Sequence, residues 1–346
     1  MKMKKENKKF QKISDLKEFA LIEHLTKNFK SKNRTTIKSI GDDAAVLNYE
    51  NKEILVTTDL LTEGIHFDLT YVPLIHLGYK SVIVNLSDIY AMNGTPKQIT
   101  VAIAISKKIS LKAIEEFYKG IYLACEKYNV DLIGGDTSSS LTGMQISITA
   151  IGEIDISKIS YRNSAKKNDL ICVSGNLGAS YFGLLLLERE KQVLKENPYE
   201  RIDLNEYKYI LQRQLRPEAR RDIIESLEKM KIKPNSMIDI SDGLSSEILH
   251  ICKNSEVGCK IFEEKIPIAF ETKKIAEIFK IHTTTAALNG GEDYEMLFTI
   301  SQKDFEKINK ISDVSIIGYI TDKKDGKKLI TNTNEEIDLK AQGWTM

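Results

Sequence analysis

Gln98-Ile-Thr-Val-Ala-Ile-Ala-Ile105, then Ser110 opening a helical pattern to about Tyr128, then Val130-Asp-Leu-Ile-Gly-Gly-Asp136, is the stretch that decides the fold class. The first run is too short for a buried helix and rich in β-branched residues, so it reads as an apolar strand. Ser110 can accept from a free backbone N–H of the helix it precedes. A second strand over Val130–Ile133 follows, ending at Gly134-Gly135-Asp136. Strand, helix and strand in succession place the chain among mixed α/β or α+β proteins.

The same alternation extends outward in both directions. Upstream, Ser14 and Asp15 precede Leu16, Phe19, Ala20, Ile22 and Leu25 at helical spacing, Glu53–Thr58 reads as a strand, and Leu74–Met92 as mainly helix, with Gly94-Thr-Pro96 as a break. Downstream, Met144–Ile151 reads as a strand, and the pattern restarts after the polar Lys166-Lys-Asn-Asp169. Leu170–Val173 is a strand with its turn at Ser174–Gly178, and Tyr181–Leu187 begins a helix. Met237–Ile240 feeds a helix from Asp242 to about Cys252, and Glu295–Ile300 and Val314–Ile320 are further strands. Residues 188–215 are highly charged and read as an exposed helical elaboration. The expectation is a basic terminus over 1–12, an N-terminal domain over 13–155 and a C-terminal domain over 165–346, with the boundary in 153–168.

Lys and Arg total 50 against 49 acidic residues, which removes the basic excess that would draw the chain to nucleic acid or an anionic membrane. The four cysteines, Cys125, Cys172, Cys252 and Cys259, contain no CxxC pair, so neither a structural zinc site nor a disulfide framework is expected. The lysine-rich start lacks the apolar run of a secretory signal, and no stretch reaches the ~20 apolar residues of a membrane span. A cytoplasmic location is the expectation.

Five short segments place aspartates beside Gly, Ser or Thr: Gly41-Asp42-Asp43, Thr57-Thr58-Asp59, Asn85-Leu86-Ser87-Asp88, Gly134-Gly135-Asp136 and Asp239-Ile240-Ser241-Asp242-Gly243. All but the Asp88 segment, which sits in the helical stretch, read as turns at strand ends. One such turn is ordinary capping chemistry. Five concentrate carboxylates beyond what capping requires, with few lysines among them. Hard oxygen donors without a His or Cys cluster point to Mg²⁺, which commonly joins carboxylates to phosphates. No EF-hand spacing, no Gly-x4-Gly-Lys-Ser/Thr loop and no protein-kinase signature is present, so a nucleotide would be held by another fold.

These segments resemble thiamine-monophosphate kinases, within the superfamily of aminoimidazole ribonucleotide synthetase, selenophosphate synthetase and a hydrogenase maturation protein. The resemblance is carried by Ile40–Val46, Thr57–Phe67, Lys80–Asp88 with Ala91–Gly94, Ile133–Thr137, Ile238–Leu244 and Gly290–Glu295. It implies ATP and several Mg²⁺ ions held between two domains, and a homodimer whose N-terminal sheets join into a shared β-barrel. It further implies that Asp43, Thr57, Thr58, Asp59, Asp88, Asp136, Asp239 and Asp242 are metal positions. Gly135, Asp136, Arg162 and Ser241 match nucleotide positions, with Tyr118 a candidate to pack on adenine; His66, Glu292 and Trp344 match the acceptor side. Without the resemblance, His66 would as readily satisfy a turn, Arg162 would be a solvated linker residue and Trp344 a lid on the core. Asn176 stands where relatives often carry Asp.

The activity so implied is transfer of the ATP γ-phosphoryl group to thiamine monophosphate, giving thiamine diphosphate. Its phosphate already carries an anionic oxygen, so no side-chain base is required. The hydrogenase maturation dehydratase is disfavoured because no cysteine follows Cys259, and selenophosphate synthetase because none precedes Cys125. The segment containing His66 and the Gly290–Glu295 run favour the thiamine enzyme over aminoimidazole ribonucleotide synthetase. A nucleotide or metal sensor that binds without turnover is the reading from a different class.

Overall fold

The computed structural model describes residues 24–38, 46–49, 52–197 and 204–341. Residues 1–12, Asp43, Trp344 and most of the helix expected from Ser14 lie outside them. The chain forms two compact units. One comprises residues through 49, 58–85 and 97–151; the other comprises 86–96, everything from 152 onward and the strand segment ending at Thr57. Among the described residues no helix is long and apolar enough to cross a membrane.

In the first unit a short ladder pairs β1 (Thr36–Lys38) with β2 (Val46–Leu47). The main sheet contains β3 (Glu53–Thr62), β4 (Thr95–Ser106), β5 (Asp131–Ser140) and β6 (Gln145–Ile154), in the order β3-β6-β4-β5. Two helices accompany them, α1 (Leu74–Ala91) and α2 (Leu111–Tyr128). β4 and β5 run parallel, and α2 makes the crossover that a parallel pair requires. Ser110 caps α2 as its sequence predicts, its side chain accepting from the Ala113 N–H at 3.2 Å. Ile114, Phe117, Ile121 and Ala124 recur at helical spacing and are buried.

Two of the aspartate segments differ from their reading as turns: Thr57, Thr58 and Asp59 lie within β3, and Gly134-Gly135-Asp136 continue β5 to Ser140, whereas Asp88 lies within α1, in the stretch read as helix. Gly135 of β5 serves close strand approach. A Cβ on Gly135 would stand 1.9 Å from the Val101 carbonyl oxygen of the paired strand, and the β4–β5 register shifts beside Ile99 and Thr100. Among the described residues, the Asp239–Gly243 segment is the one that turns on leaving a strand.

The second unit is built on a seven-stranded sheet. Its strands are β7 (Leu170–Ser174), β8 (Ser236–Asp239), β9 (Val257–Phe262), β10 (Met296–Ile300), β11 (Val314–Asp322), β12 (Lys327–Ile330) and β13 (Glu336–Asp338), in the order β13-β12-β9-β11-β7-β10-β8. β12 and β9 are parallel, and the other pairs are antiparallel. Ile171, Val173, Ile238, Leu297, Ile317 and Ile320 join the inner face of α6 in one core; the helices of this unit include α3 (Ala179–Glu196), α4 (Lys208–Leu215), α5 (Arg221–Lys229) and α6 (Leu244–Ser255), followed by Phe270–Phe279, Thr283–Asn289 and Phe305–Ile308. A second cluster joins Ala179, Phe182 and Leu186 of α3 to Ile210 of α4. Within the segment 188–215, read as exposed elaboration, α4 instead joins a packed layer through Ile210, while 188–197 are exposed or half-buried.

Candidate active site

β8 delivers Asp239 at its C-terminal end, and α1 brings Ser87 and Asp88 to it. Asp239 is 3% exposed and accepts from the Ser87 hydroxyl at 2.6 Å. Asp88 accepts from the Thr57 hydroxyl at 2.6 Å. Thr57, Asp88, Arg162 and Met237 line a cavity of about 410 Å³ with Ile54, Val56 and Met92.

Burial and the neighbouring Asp88 charge push Asp239 up to about 7, against the pull of the Ser87 hydrogen bond and the Arg162 guanidinium. Asp88 is likewise raised, chiefly by burial, with Thr57 and then Arg162 opposing. Two neighbouring carboxylates, Asp88 lining a cavity with an exposed arginine and Asp239 buried beside it, form a place that gains from a further cation. Among the described residues no three acidic, His or Cys side chains converge as a finished metal set. The oxygen-only donors of Thr57, Asp88 and Asp239 nonetheless fit Mg²⁺ in type.

Beyond Asp239 the chain turns through Ser241 and Asp242, both exposed, into α6. The Asp242 N–H donates to Glu247 at 3.1 Å. Glu247 is buried, and burial raises its carboxyl to about 8. The loop preceding β10 docks on this turn: the Glu292 N–H donates to the Ser241 carbonyl at 2.7 Å, and the Tyr294 N–H to Ile240 at 2.9 Å. Ser241, Asp242 and Glu292, distant in sequence, thus share one loop pair.

The remaining candidates belong to the first unit. The Thr58 hydroxyl donates to the Ile148 carbonyl at 3.1 Å, and the Asp59 N–H to Asn85 at 3.1 Å. Asp136 stands exposed on β5, an edge strand. His66 is exposed and its Nδ1 accepts from the Thr62 N–H at 3.1 Å, so in this structure the imidazole does satisfy a turn. Tyr118, on α2, is 6% exposed, its ring is packed against Phe117 and Tyr122, and burial raises its phenol.

Sequence reading quoted Ser87 and Glu295 within its segments without giving them a role, and missed Glu247, Arg213, Gln214 and Arg220. Arg213 Nη1 meets Glu295 at 2.8 Å, and Arg220 pairs with Glu295, Asp222 and Asp313. The one available signal was the arginine-dense run Arg213–Arg221 beside apolar Ile210, since arginines that enter a core require carboxylate partners.

A strand-rich two-domain chain with aspartates at the end of β8 and in α1 defines a class. Residues 41–154 match the N-terminal domain, and residues 166–330 the C-terminal domain, of AIR synthase related proteins. A thiamine-monophosphate kinase of Buchnera aphidicola subsp. Schizaphis graminum is 39% identical over 94% of this chain and 97% of its own length. That of Aquifex aeolicus is 36% identical over 92% and 97%. The solved structure of AaThiL complexed with AMPPCP and TMP shares 33% identity, covering 96% of this chain and 98% of that one, with TM-score 0.74. The chain belongs to the thiamine-monophosphate kinase family.

Proposed function

We propose that this chain, a thiamine-phosphate kinase, transfers the γ-phosphoryl group of ATP directly to thiamine monophosphate, with Mg²⁺ held by its aspartate segments. The observation that carries the metal reading is the Asp88–Asp239 pair: Asp239 buried and Asp88 half-buried, the Asp88 charge disfavouring ionisation of Asp239, and both furnished with hydroxyl donors. The residues that would hold Mg²⁺ are Thr57, Asp88, Asp239 and Asp242 in one unit, Thr58, Asp59 and Asp136 in the other, and Asp43. Bound Mg²⁺ supplies positive charge to phosphate oxygens as the transferring group develops its charge.

In this reading Arg162 donates to a phosphate oxygen, a charge-assisted contact for an exposed guanidinium that already faces two carboxylates. Gly135 and Ser241 lie against the nucleotide; His66, Glu292 and Trp344 face the acceptor. The new bond joins an oxygen of the acceptor phosphate to Pγ, and the bond from Pγ to the β-phosphate oxygen breaks, releasing ADP. The attacking oxygen bears no proton at neutral pH, so no side chain need remove one. AMPPCP, an ATP analogue, in a complex of a related protein supports the nucleotide assignment.

Homodimerisation through β3 is part of the proposal. β3 is an edge strand and leaves Val56 65% and Leu60 57% exposed, an apolar strip that pairing into a shared barrel would cover. The four cysteines are all free and buried, as a reducing cytoplasm allows.

The test is ADP release with ATP and Mg²⁺, comparing thiamine monophosphate, free thiamine and an aminoimidazole ribonucleotide precursor, with EDTA and Asp59→Asn as controls. Thiamine diphosphate formed from the monophosphate alone, and lost in both controls, is the expected result. Tight ATP binding with no turnover on any acceptor would indicate a sensor. A phosphoprotein formed from ATP alone would overturn direct transfer.

A further inference from the structure

The first turns of α6 carry a buried acid that helix capping alone does not account for. Glu247 is 2% exposed. Its Oε1 accepts from the Asp242 N–H at 3.1 Å, a reach back over the helix start of the kind a capping glutamate makes. Its Oε2 is buried and has no hydrogen-bond partner among the described residues. The charges that face Glu247 are the carboxylates of Asp242 and Asp239, and no cationic side chain among the described residues pairs with it.

A glutamine in this place would offer the Asp242 N–H the same acceptor without a buried acid. Keeping a carboxyl group there, with one oxygen orphaned and only acids around it, costs stability that a neutral residue avoids. Buried carboxylates are otherwise found paired or serving a metal, and here no pair is present.

The turn that Glu247 holds is fixed from its other side as well. A Cβ on Gly243 would stand 2.6 Å from the Leu288 carbonyl oxygen, and one on Gly291 would stand 2.5 Å from the Ser241 carbonyl oxygen. Both glycines have positive φ, 121° and 70°, so the backbone here admits no ordinary side chain. Between Glu247 and the loop before β10 the backbone of Asp242 is held in one place, while its own side chain stays exposed.

We propose that Glu247 is a positioning residue of the cation site at the end of β8: through Oε1 it fixes the Asp242 backbone, and through its second, unpartnered oxygen it lends negative charge to the Asp239–Asp242 turn. The proposal rests on the reading of Asp239 and Asp242 as Mg²⁺ positions and adds Glu247 to them. Glu247 acts through Asp242 and the charge of the turn, without touching the nucleotide.

The test follows the Tm of the full chain against Mg²⁺ concentration with AMPPCP present, starting from EDTA, for Glu247→Gln, Glu247→Ala, Asp242→Asn and Ile248→Ala. Glu247→Gln keeps shape and acceptor, so its Tm in EDTA should match or exceed that of the parent. Its Mg²⁺ midpoint should nonetheless rise by about tenfold, the scale on which residues behind metal ligands act. Glu247→Ala should shift the midpoint at least as far and lower the EDTA Tm as well. Ile248→Ala truncates a fully buried side chain of the same helix, so it should lower the EDTA Tm and leave the midpoint within about twofold. A Glu247→Gln midpoint that moves by less than about threefold, or no further than that of Ile248→Ala, reduces Glu247 to a helix cap and overturns the proposal. If Asp242→Asn also leaves the midpoint in place, the metal reading of the turn fails with it; if Asp242→Asn shifts the midpoint and Glu247→Gln does not, the role of Glu247 alone is overturned.

Discussion

The Ser87 hydroxyl donates to Asp239 across 152 residues of sequence at 2.6 Å, and that bond sets one carboxylate beside another, because Ser87 precedes Asp88 in α1. The consequence is a site that is electrostatically strained until a cation joins it.

Its strain makes stability pH-dependent. Asp239 has an ordinary value of 3.8 and is raised to about 7 in the fold, so the folded state binds a proton that the unfolded chain releases. No penalty exists below about pH 4; it grows as pH rises through the interval and is fully present above about 7. At ~1.4 kcal/mol for each pH unit, the interval bounds the penalty at roughly 4 kcal/mol. In EDTA, Tm should therefore fall between pH 5 and pH 8, and Asp239→Asn should flatten that fall while abolishing turnover. Mg²⁺ should stabilise the unsubstituted protein more at pH 8 than at pH 5. Equal Tm profiles for the two proteins would show that the pair is not strained.

Thr57 supports the ionised form of Asp88 through its 2.6 Å hydrogen bond. Thr57→Val keeps the shape and loses the donor, so Asp88 should be raised further and compete less well for a cation. At least about tenfold more Mg²⁺ should be needed for half-maximal ADP release, since the variant loses a proposed metal oxygen as well as a hydrogen-bond partner of Asp88. A Mg²⁺ titration at saturating substrates checks this, and an unchanged midpoint would remove Thr57 from the site.

What could be read from sequence was local. Ser110 and the apolar spacing from Ile114 to Ala124 define α2 without reference to anything distant. Gly134-Gly135-Asp136 was misleading because glycine serves a turn and a tight strand pair equally, and the choice is made by Val101 on β4. The aspartates were recognisable as a set, yet that Asp88 and Asp239 face each other is a tertiary fact. Arg213 and Gln214 were hidden for the same reason: in a charged run they read as solvated, and their partners Glu295 and Glu292 lie 82 and 78 residues away.

Gly135 offers a test of the reread β5 strand. Because its Cβ would meet the Val101 backbone, which cannot swing aside, Gly135→Ala must push β4 and β5 apart or break their pairing. A loss of about 1–3 kcal/mol is expected from urea unfolding, the range for forced overpacking. Asp136 is the next residue, so activity should fall together with stability. A fully stable Gly135→Ala would mean that the residue lies in an open turn after all.

Arg220 is the sharper stability test. Its guanidinium contacts Glu295 and Asp313 and forks onto Asp222 at 2.7 and 3.0 Å, while Glu295, 1% exposed, also takes the Ser174 hydroxyl at 2.6 Å. Glu295 sits where a Cβ on Gly175 would be only 2.1 Å from its Oε1, so it cannot turn out to water without moving β7's turn. Arg220→Met should leave that carboxylate under-compensated and cost about 3–5 kcal/mol, as breaking one side of a buried ion pair does. Adding Glu295→Gln removes the stranded charge and should recover at least ~1 kcal/mol of it. Denaturant unfolding of the two single variants and the double decides the matter: a double variant no more stable than Arg220→Met would place the energy in Asp222 and Asp313 instead, and a loss below ~1 kcal/mol for Arg220→Met would mean that Arg213 alone suffices to hold Glu295.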